Sequence, residues 1–236
     1  MRKWIIIVFV AGCMPAELHG QSILLGFQLG WGYYQMNEMS EFINDTDIPL
    51  DTRVVYDYPP YFIFQPELSW GNDTFSIGLC DAFQSTGARI SVKDYTGEYR
   101  MDSRVKSHAP ALVYKRRITE FKGIQQRLYC KAGMGFTRMV LQEYFELNDE
   151  VYFDDFYYFR SMYGFLEPGV SFSYTYRFIT LAMNMGYFLQ YYSSPLKEEE
   201  TGSTFWASNS NTNARANWSG IRFGLSLTVQ MMRNHQ

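Results

Sequence analysis

The chain has 236 residues, long enough for one large or two small domains, and it is rich in aromatic residues (18%) and modest in charged ones (19%). Its formal net charge of −3 at pH 7 gives no electrostatic support for a nucleic-acid partner. The three cysteines, Cys13, Cys80 and Cys130, form neither an even-numbered disulfide framework nor a metal-ligand spacing. Composition therefore argues against a nucleic-acid-binding protein and against a disulfide-stapled domain.

The N-terminal segment has the layout of an export signal. A short basic stretch precedes the apolar run WIIIVFVAG (4–12), which is too short to span a bilayer as a helix. We predict a signal peptide over 1–20. The run VAGC, which ends at Cys13, resembles a bacterial lipobox, so the alternative is a lipoprotein signal over 1–12 with a lipid attached to Cys13.

Beyond this signal, eight segments alternate apolar and polar residues with a period of two, which predicts β-strands with two different faces. The last of them, IRFGLSLTVQ, places Ile, Phe, Leu, Leu and Val opposite Arg, Gly, Ser, Thr and Gln. The predicted strands cover 21–34, 61–70, 74–92, 98–116, 127–136, 165–176, 179–192 and 219–230.

The connections between these strands differ in length and polarity. Tight turns are predicted at 71–73, 94–97 and 176–178, and a somewhat longer connection near 116–125. Longer polar links are predicted at 35–59, 148–156 and 193–215, the first of them with a helical turn or two at 36–44.

The polar faces of the strands indicate which side meets solvent. A soluble barrel would carry Lys, Glu and Asp on its outer face, whereas Gly, Ser, Thr, Ala and Gln dominate here. Small polar residues suit the crowded lumen of a narrow barrel, and the apolar faces then meet lipid. Aromatic residues gather near the ends of those apolar faces, as expected at a membrane interface: Trp31, Tyr33, Trp70, Tyr174, Tyr176, Tyr187 and Tyr191.

The sequence therefore predicts an all-β fold, an eight-stranded antiparallel up-and-down transmembrane β-barrel. The barrel domain is expected over 21–230, with a periplasmic N-terminus, long extracellular loops and a short tail over 231–236. A soluble exported barrel is the alternative.

In these features the chain resembles the small OmpA/OmpX-type outer-membrane β-barrels. It most resembles uncharacterised outer-membrane barrel proteins of Bacteroidota-type bacteria, because a Gln-Ser start at Gln21 leads straight into a Gly-rich first strand. The resemblance implies location in the bacterial outer membrane, contact with its lipids and a structural or surface-interaction role. A ligand or protein is expected to bind through the loops 35–59 and 193–215, and the chain is expected to be a monomer.

Four charged residues lie on the polar side of the predicted strands: Glu67, Lys131, Glu167 and Arg222. A charge inside a narrow lumen must be paired or hydrated, so we predict an ion-pair network that plugs the barrel. The guanidinium of Arg222 is expected to bridge Glu67 and Glu167. The alternative is a narrow porin-like channel with these charges at its constriction.

Few residues offer chemistry. Ser107 and His108 are adjacent in a predicted strand and should point to opposite faces, which argues against a catalytic dyad. We expect no enzyme activity, no cofactor and no metal site, and an envelope lipid-modifying enzyme is the third candidate function. Asp81 falls on the lipid-facing side of its strand, so we expect a β-bulge or a shift of register there.

Overall fold

The computed structural model describes residues 22–34, 36–44, 53–93, 95–148, 150–204, 206–207 and 212–233. In chain order its elements are β1 (Ser22–Gly32), α1 (Asn37–Asn44), β2 (Arg53–Tyr56), β3 (Tyr61–Gly71), β4 (Phe75–Lys93), β5 (Gly97–Phe121), β6 (Ile124–Leu147), β7 (Glu150–Tyr176), β8 (Ile179–Ser193), β9 (Lys197–Glu198), β10 (Trp206–Ala207), β11 (Thr212–Asn213) and β12 (Gly220–Arg233). The predicted signal peptide and Cys13 lie outside the described residues.

Eight of these strands close into a ring in which every neighbour is antiparallel. The order around the ring is β3, β1, β12, β8, β7, β6, β5 and β4, and β4 returns to β3. The first strand pairs with both the second and the last strand of the ring, as an up-and-down barrel requires. The predicted eight-stranded antiparallel barrel is therefore confirmed, and each of its strands lies where the alternating pattern predicts one.

The alternation places apolar side chains outside and small or polar side chains inside. On β12, Phe223 and Leu225 are 52% and 62% exposed. Arg222, on the opposite face of the same strand, points into the lumen and is buried. The same separation holds on β1 and β8, where Leu25 and Met183 point outward. Because the ring is closed, ladder hydrogen bonds satisfy the strand backbones without leaving an edge.

Four neighbouring strands are much longer than the rest. β5, β6 and β7 have 25, 24 and 27 residues, and β4 has 19, whereas β1 and β3 have 11 each. The turns at 72–74, 122–123 and 177–178 lie at one end of the barrel, and the extra length projects at the other end, where β4–β5 and β6–β7 form hairpins. This projecting sheet stands on the side of the long connections.

The predictions of a connection at 116–125 and at 148–156 are wrong, because strands run through most of both segments. At 116–125, β5 and β6 run to a two-residue turn at Lys122 and Gly123, whose φ angles of 51° and 81° suit a tight hairpin. At 148–156, residues from Glu150 onward belong to β7. At the tip of the β6–β7 hairpin both faces are exposed to solvent, so charged residues occur on both faces. The alternation by which a strand is recognised is therefore lost there.

The other long links contain the structure that covers the barrel mouth. The helical turn predicted near 36–44 is present as α1, which has eight residues. Among the described residues, no helix is long and apolar enough to cross a membrane. At the C-terminus β12 continues to Arg233, so the expected tail over 231–236 begins within the last strand.

Asp81 shows neither the bulge nor the register shift that the sequence suggests. The β4–β5 register runs without interruption through Asp81 and Pro110, and the carboxylate stays on the outer face. It accepts a hydrogen bond from the Ala109 N–H at 3.0 Å, and one of its oxygens lies 3.8 Å from Nδ1 of His108. These local partners make a bulge unnecessary.

Candidate functional site

The centre of the lumen is built around one carboxylate. Glu167 on β7 lies directly opposite Lys131 on β6, and both point inward. The Lys131 Nζ donates to Oε1 of Glu167 at 2.8 Å and to Oε1 of Gln65 at 3.0 Å. The side chains of Lys131 and Glu167 are 4% and 1% exposed, so this ion pair is removed from bulk water.

A second cation reaches the same carboxylate from β12. Arg222 donates from Nη1 to Oε2 of Glu167 at 3.0 Å and from Nη2 to the side-chain oxygen of Gln84. Its Cζ lies 3.6 Å from the ring centroid of Phe188, which is a close cation–π contact. Side chains from β3, β4, β6, β7 and β12 therefore meet in one layer, which we call the ionic layer: Gln65, Gln84, Lys131, Glu167 and Arg222.

Glu67 does not join the ionic layer, so the prediction that Arg222 bridges Glu67 and Glu167 is wrong. Its carboxylate accepts two hydrogen bonds from Lys115 Nζ, at 2.6 and 2.8 Å. Glu67, Lys115 and Arg127 line a polar cavity of about 70 Å³ at the short-turn end of the barrel, away from Arg222. Sequence reasoning missed Lys115, which lies at the end of the predicted strand 98–116, beside the predicted connection near 116–125.

Large side chains fill the lumen around the ionic layer, and glycines directly opposite them on the neighbouring strand give them room. A Cβ on Gly135 would lie 1.9 Å from Cζ of Tyr163, and one on Gly169 would lie 2.3 Å from Cζ of Tyr129. The Tyr163 hydroxyl shares a hydrogen bond of 2.7 Å with Ser107 Oγ and accepts a hydrogen bond from Gln84 Nε2 at 3.0 Å. The glycines of the polar faces thus serve the purpose expected in a crowded barrel.

Above the ionic layer, the long connections supply an apolar layer that the sequence did not reveal. Trp218 is fully buried, its Nε1 donates to Thr137 Oγ1 at 3.0 Å, and its ring meets Tyr34 edge to face at 4.9 Å. We call this group of buried residues the apical core: Tyr34, Met36, Met39, Tyr58, Leu196, Ala214, Ala216 and Trp218, packed on Ile90, Met101, Val105, Met139, Leu141 and Phe159.

Hydrogen bonds hold the long connections in the barrel mouth. Glu38 on α1 accepts from the Arg215 N–H at 2.8 Å, which ties the first long link to the last. Tyr58 shares a hydrogen bond of 3.0 Å with Ser103 Oγ on β5, and burial raises the pKa of Tyr58. The mouth is therefore covered by chain that is anchored to the barrel wall. The sequence feature that could have revealed the apical core is a group of apolar residues inside an otherwise polar link: Ala214, Ala216 and Trp218.

The structure does not bring together the residues that could act in catalysis or bind a metal ion. Ser107 faces the lumen and His108 faces outward, as the alternation requires, so the two side chains do not form a dyad. Within the described ranges, no group of three or more His, Cys, Asp or Glu side chains is arranged to hold a metal ion. The aromatic residues expected at the membrane interfaces all lie on the outer surface: Trp31, Tyr33, Trp70, Tyr174, Tyr176, Tyr187 and Tyr191.

The ring and its contents define a filled, eight-stranded antiparallel β-barrel. No family model matches the chain, and no curated protein sequence matches it. Solved structures do match, at low identity. Neisserial surface protein A (NspA) is 9% identical over 90% of this chain and 100% of its own, with a TM-score of 0.40. Ail, the attachment invasion locus protein of Yersinia pestis, is 12% identical over 90% and 98%, with a TM-score of 0.37.

The outer membrane protease OmpT from Escherichia coli is also similar to this chain. It is 12% identical over 90% of this chain and 95% of its own, with a TM-score of 0.39. The assignment of the fold depends on the strand ring itself. The expected likeness to Bacteroidota-type proteins stays a prediction.

Proposed function

We propose that the chain is an integral protein of the bacterial outer membrane with a structural or surface-interaction role, and that its filled lumen does not conduct ions. The outward face of the barrel carries the membrane part of this proposal. Apart from Asp81 and His108, its ring strands expose mainly apolar side chains, such as Leu112 at 64% and Leu181 at 56%. A contiguous apolar surface of this kind is rare on soluble monomers, and lipid is the solvent that it suits.

Strand length supports the same placement. A tilted transmembrane strand needs about 9–11 residues, and the shortest ring strands, β1 and β3, have 11 each. The longer strands exceed this length by their projecting part. Exposed Trp and Tyr side chains lie near both ends of the apolar faces, where a membrane interface favours them.

The non-conducting lumen is supported by two successive obstructions. The ionic layer crosses the barrel with side chains that are almost fully buried, and the apical core covers it with apolar groups. Ion passage would require both to move. Because breaking a buried ion pair leaves an unpaired charge, such movement is costly.

The surface role belongs to the projecting end. Met36, Met39 and Leu196 of the long links face inward, so binding through 35–59 and 193–215 is left to the exposed residues of those links. The tips of the projecting hairpins are more accessible, with Tyr95 99% exposed and Tyr152 59% exposed. We therefore propose that an extracellular partner contacts this end of the molecule.

The membrane placement is tested with a single substitution, Leu225→Arg, at a residue that is 62% exposed on β12. On a soluble barrel this surface change would alter stability by about 0.5 kcal/mol or less. In a bilayer an arginine near the midplane costs about 2–4 kcal/mol, so we expect poor insertion. Folding is followed by heat-modifiable gel mobility after export, and Tyr152→Arg on the projecting hairpin is the matched control. Equal behaviour of both variants, with a wild type that is soluble without detergent, would overturn the proposal.

A further inference from the structure

A row of basic side chains crosses the outer wall of the projecting sheet. Lys106 on β5 lies directly opposite Arg138 on β6, which lies opposite Arg160 on β7, which lies opposite Lys197 on β9. All four point outward, and the side chains of Arg138 and Arg160 are 56% and 67% exposed. We call these four residues the basic row.

The basic row is only partly neutralised within the described part of the chain, because one carboxylate serves two of its four cations. Glu199 accepts from both Nε and Nη2 of Arg160, the latter at 2.8 Å, and one of its oxygens lies 3.5 Å from Nε of Arg138. No ion pair of Lys106 or Lys197 occurs among the described residues, and Arg104, the next outward residue on β5, adds a further cation. Like charges directly opposite one another destabilise a sheet, so an anion bound to the row would relieve the repulsion that Glu199 leaves.

The position of the basic row indicates where that anion lies. Two residues from the basic row on each strand, on the side of the short turns, the outer face becomes apolar. Phe136 lies below Arg138 on β6, and Met162 lies below Arg160 on β7. Lys106 is followed by His108, which packs edge to face on Phe83. The basic row therefore borders the apolar surface that the proposed function assigns to lipid.

We propose that the basic row binds the phosphate group of a lipid in the outer leaflet, with the acyl chains of that lipid against the apolar wall below. This inference rests on the proposed membrane placement. An arginine fork matches phosphate oxygens with two parallel hydrogen bonds, and lysine adds a point charge. Arg138 is already oriented, because its guanidinium lies 5.2 Å from the ring centroid of Tyr158.

The test uses the folded full-length protein in a nonionic detergent and diphosphoryl lipid A as the probe, with binding followed by native mass spectrometry. The double variant Lys106→Gln/Arg138→Gln leaves Arg160 and Glu199 paired. The matched control, Lys122→Gln/Arg177→Gln, removes the same charge from the short turns. Because two cations next to an anionic lipid group are removed, the basic-row variant should bind about tenfold or more weakly, while the control binds as the wild type does.

Three further outcomes separate the alternatives. Lipid A from which both phosphates are removed should bind the wild type and the basic-row variant equally. Equal binding of the diphosphoryl lipid to both proteins would overturn the inference, and so would inorganic pyrophosphate that binds the basic row as tightly as the lipid does. Heat-modifiable mobility of each sample shows whether the barrel is folded. A folded, detergent-dependent barrel without lipid preference contradicts this inference alone, whereas a water-soluble barrel contradicts the proposed function and this inference together.

Discussion

Arg222 and Glu167 meet in the lumen, with 3.0 Å between Nη1 and Oε2, although they are 55 positions apart in the sequence. Their strands, β12 and β7, are not neighbours in the ring, because β8 lies between them. The contact therefore spans the interior and is not part of a cross-strand ladder. Since Lys131 holds the other oxygen of Glu167, one carboxylate fastens two cations from two other strands.

Removal of that carboxylate charge should be strongly destabilising. In Glu167→Gln, Lys131 and Arg222 lose their shared counter-charge while both remain buried. Loss of one partner from a buried ion pair costs about 3–5 kcal/mol, so we expect the free energy of unfolding to fall by about 3 kcal/mol or more. The measurement is reversible urea unfolding of the barrel in lipid vesicles.

Glu120→Gln is the matched control for this substitution. Glu120 pairs with Arg117 at 3.2 Å on the exposed end of β5, and an exposed pair contributes about 1 kcal/mol or less. If the two variants lose equal stability, the ionic layer does not hold the barrel together as described.

Gly135→Ala tests the close packing of the lumen. The added Cβ would collide with the ring of Tyr163, whose position is fixed by hydrogen bonds to Ser107 and Gln84. Overpacking of a filled interior costs about 1–3 kcal/mol. The same substitution in a Tyr163→Ala background should cost much less, which a double-mutant cycle on unfolding free energies would show. A loss that is identical in both backgrounds would mean that Tyr163 does not occupy this space.

Trp218→Ala tests the apical core. The large cavity and the lost bond to Thr137 should destabilise the protein by about 3–5 kcal/mol and loosen the link that precedes β12. Limited proteolysis of the folded protein should then cut between β9 and β12 sooner than in the wild type. Trp218→Phe is the control, because it keeps most of the packing and loses one hydrogen bond, a change of about 1 kcal/mol. Equal cutting rates for wild type and Trp218→Ala would show that the link is not held by this residue.

The ring part of the fold could be predicted because a narrow barrel with a filled lumen and an apolar outer face imposes strict alternation. On β12, each of Ile221 to Gln230 takes the face that its polarity predicts, and Lys131 and Glu167 were placed in the lumen by the same rule. The rule fails in the projecting sheet. Both faces of the β6–β7 hairpin there are exposed to solvent, so residues such as Asp154 and Asp155 hide the strand.

Partners inside the lumen could not be predicted from alternation. Parity says that Glu67 points inward, but the height at which it lies depends on the stagger of all the strands, and that stagger brings it to Lys115 instead of Arg222. Trp218 was missed for a different reason. It lies in a mainly polar link outside the predicted strands, and its burial results from contacts with Tyr34 and Thr137, which are far away in the sequence.

Single-channel recording in a planar bilayer tests most directly whether the lumen is closed. Folded wild-type protein, confirmed by heat-modifiable mobility, should insert without stable conductance steps. The double variant Trp218→Ala/Arg222→Ser, which opens the apical core and removes one cation of the ionic layer, should give steps or frequent short openings. Stable openings of the wild type that Arg222→Glu abolishes would contradict the closed lumen and would show a narrow channel with Arg222 at its constriction.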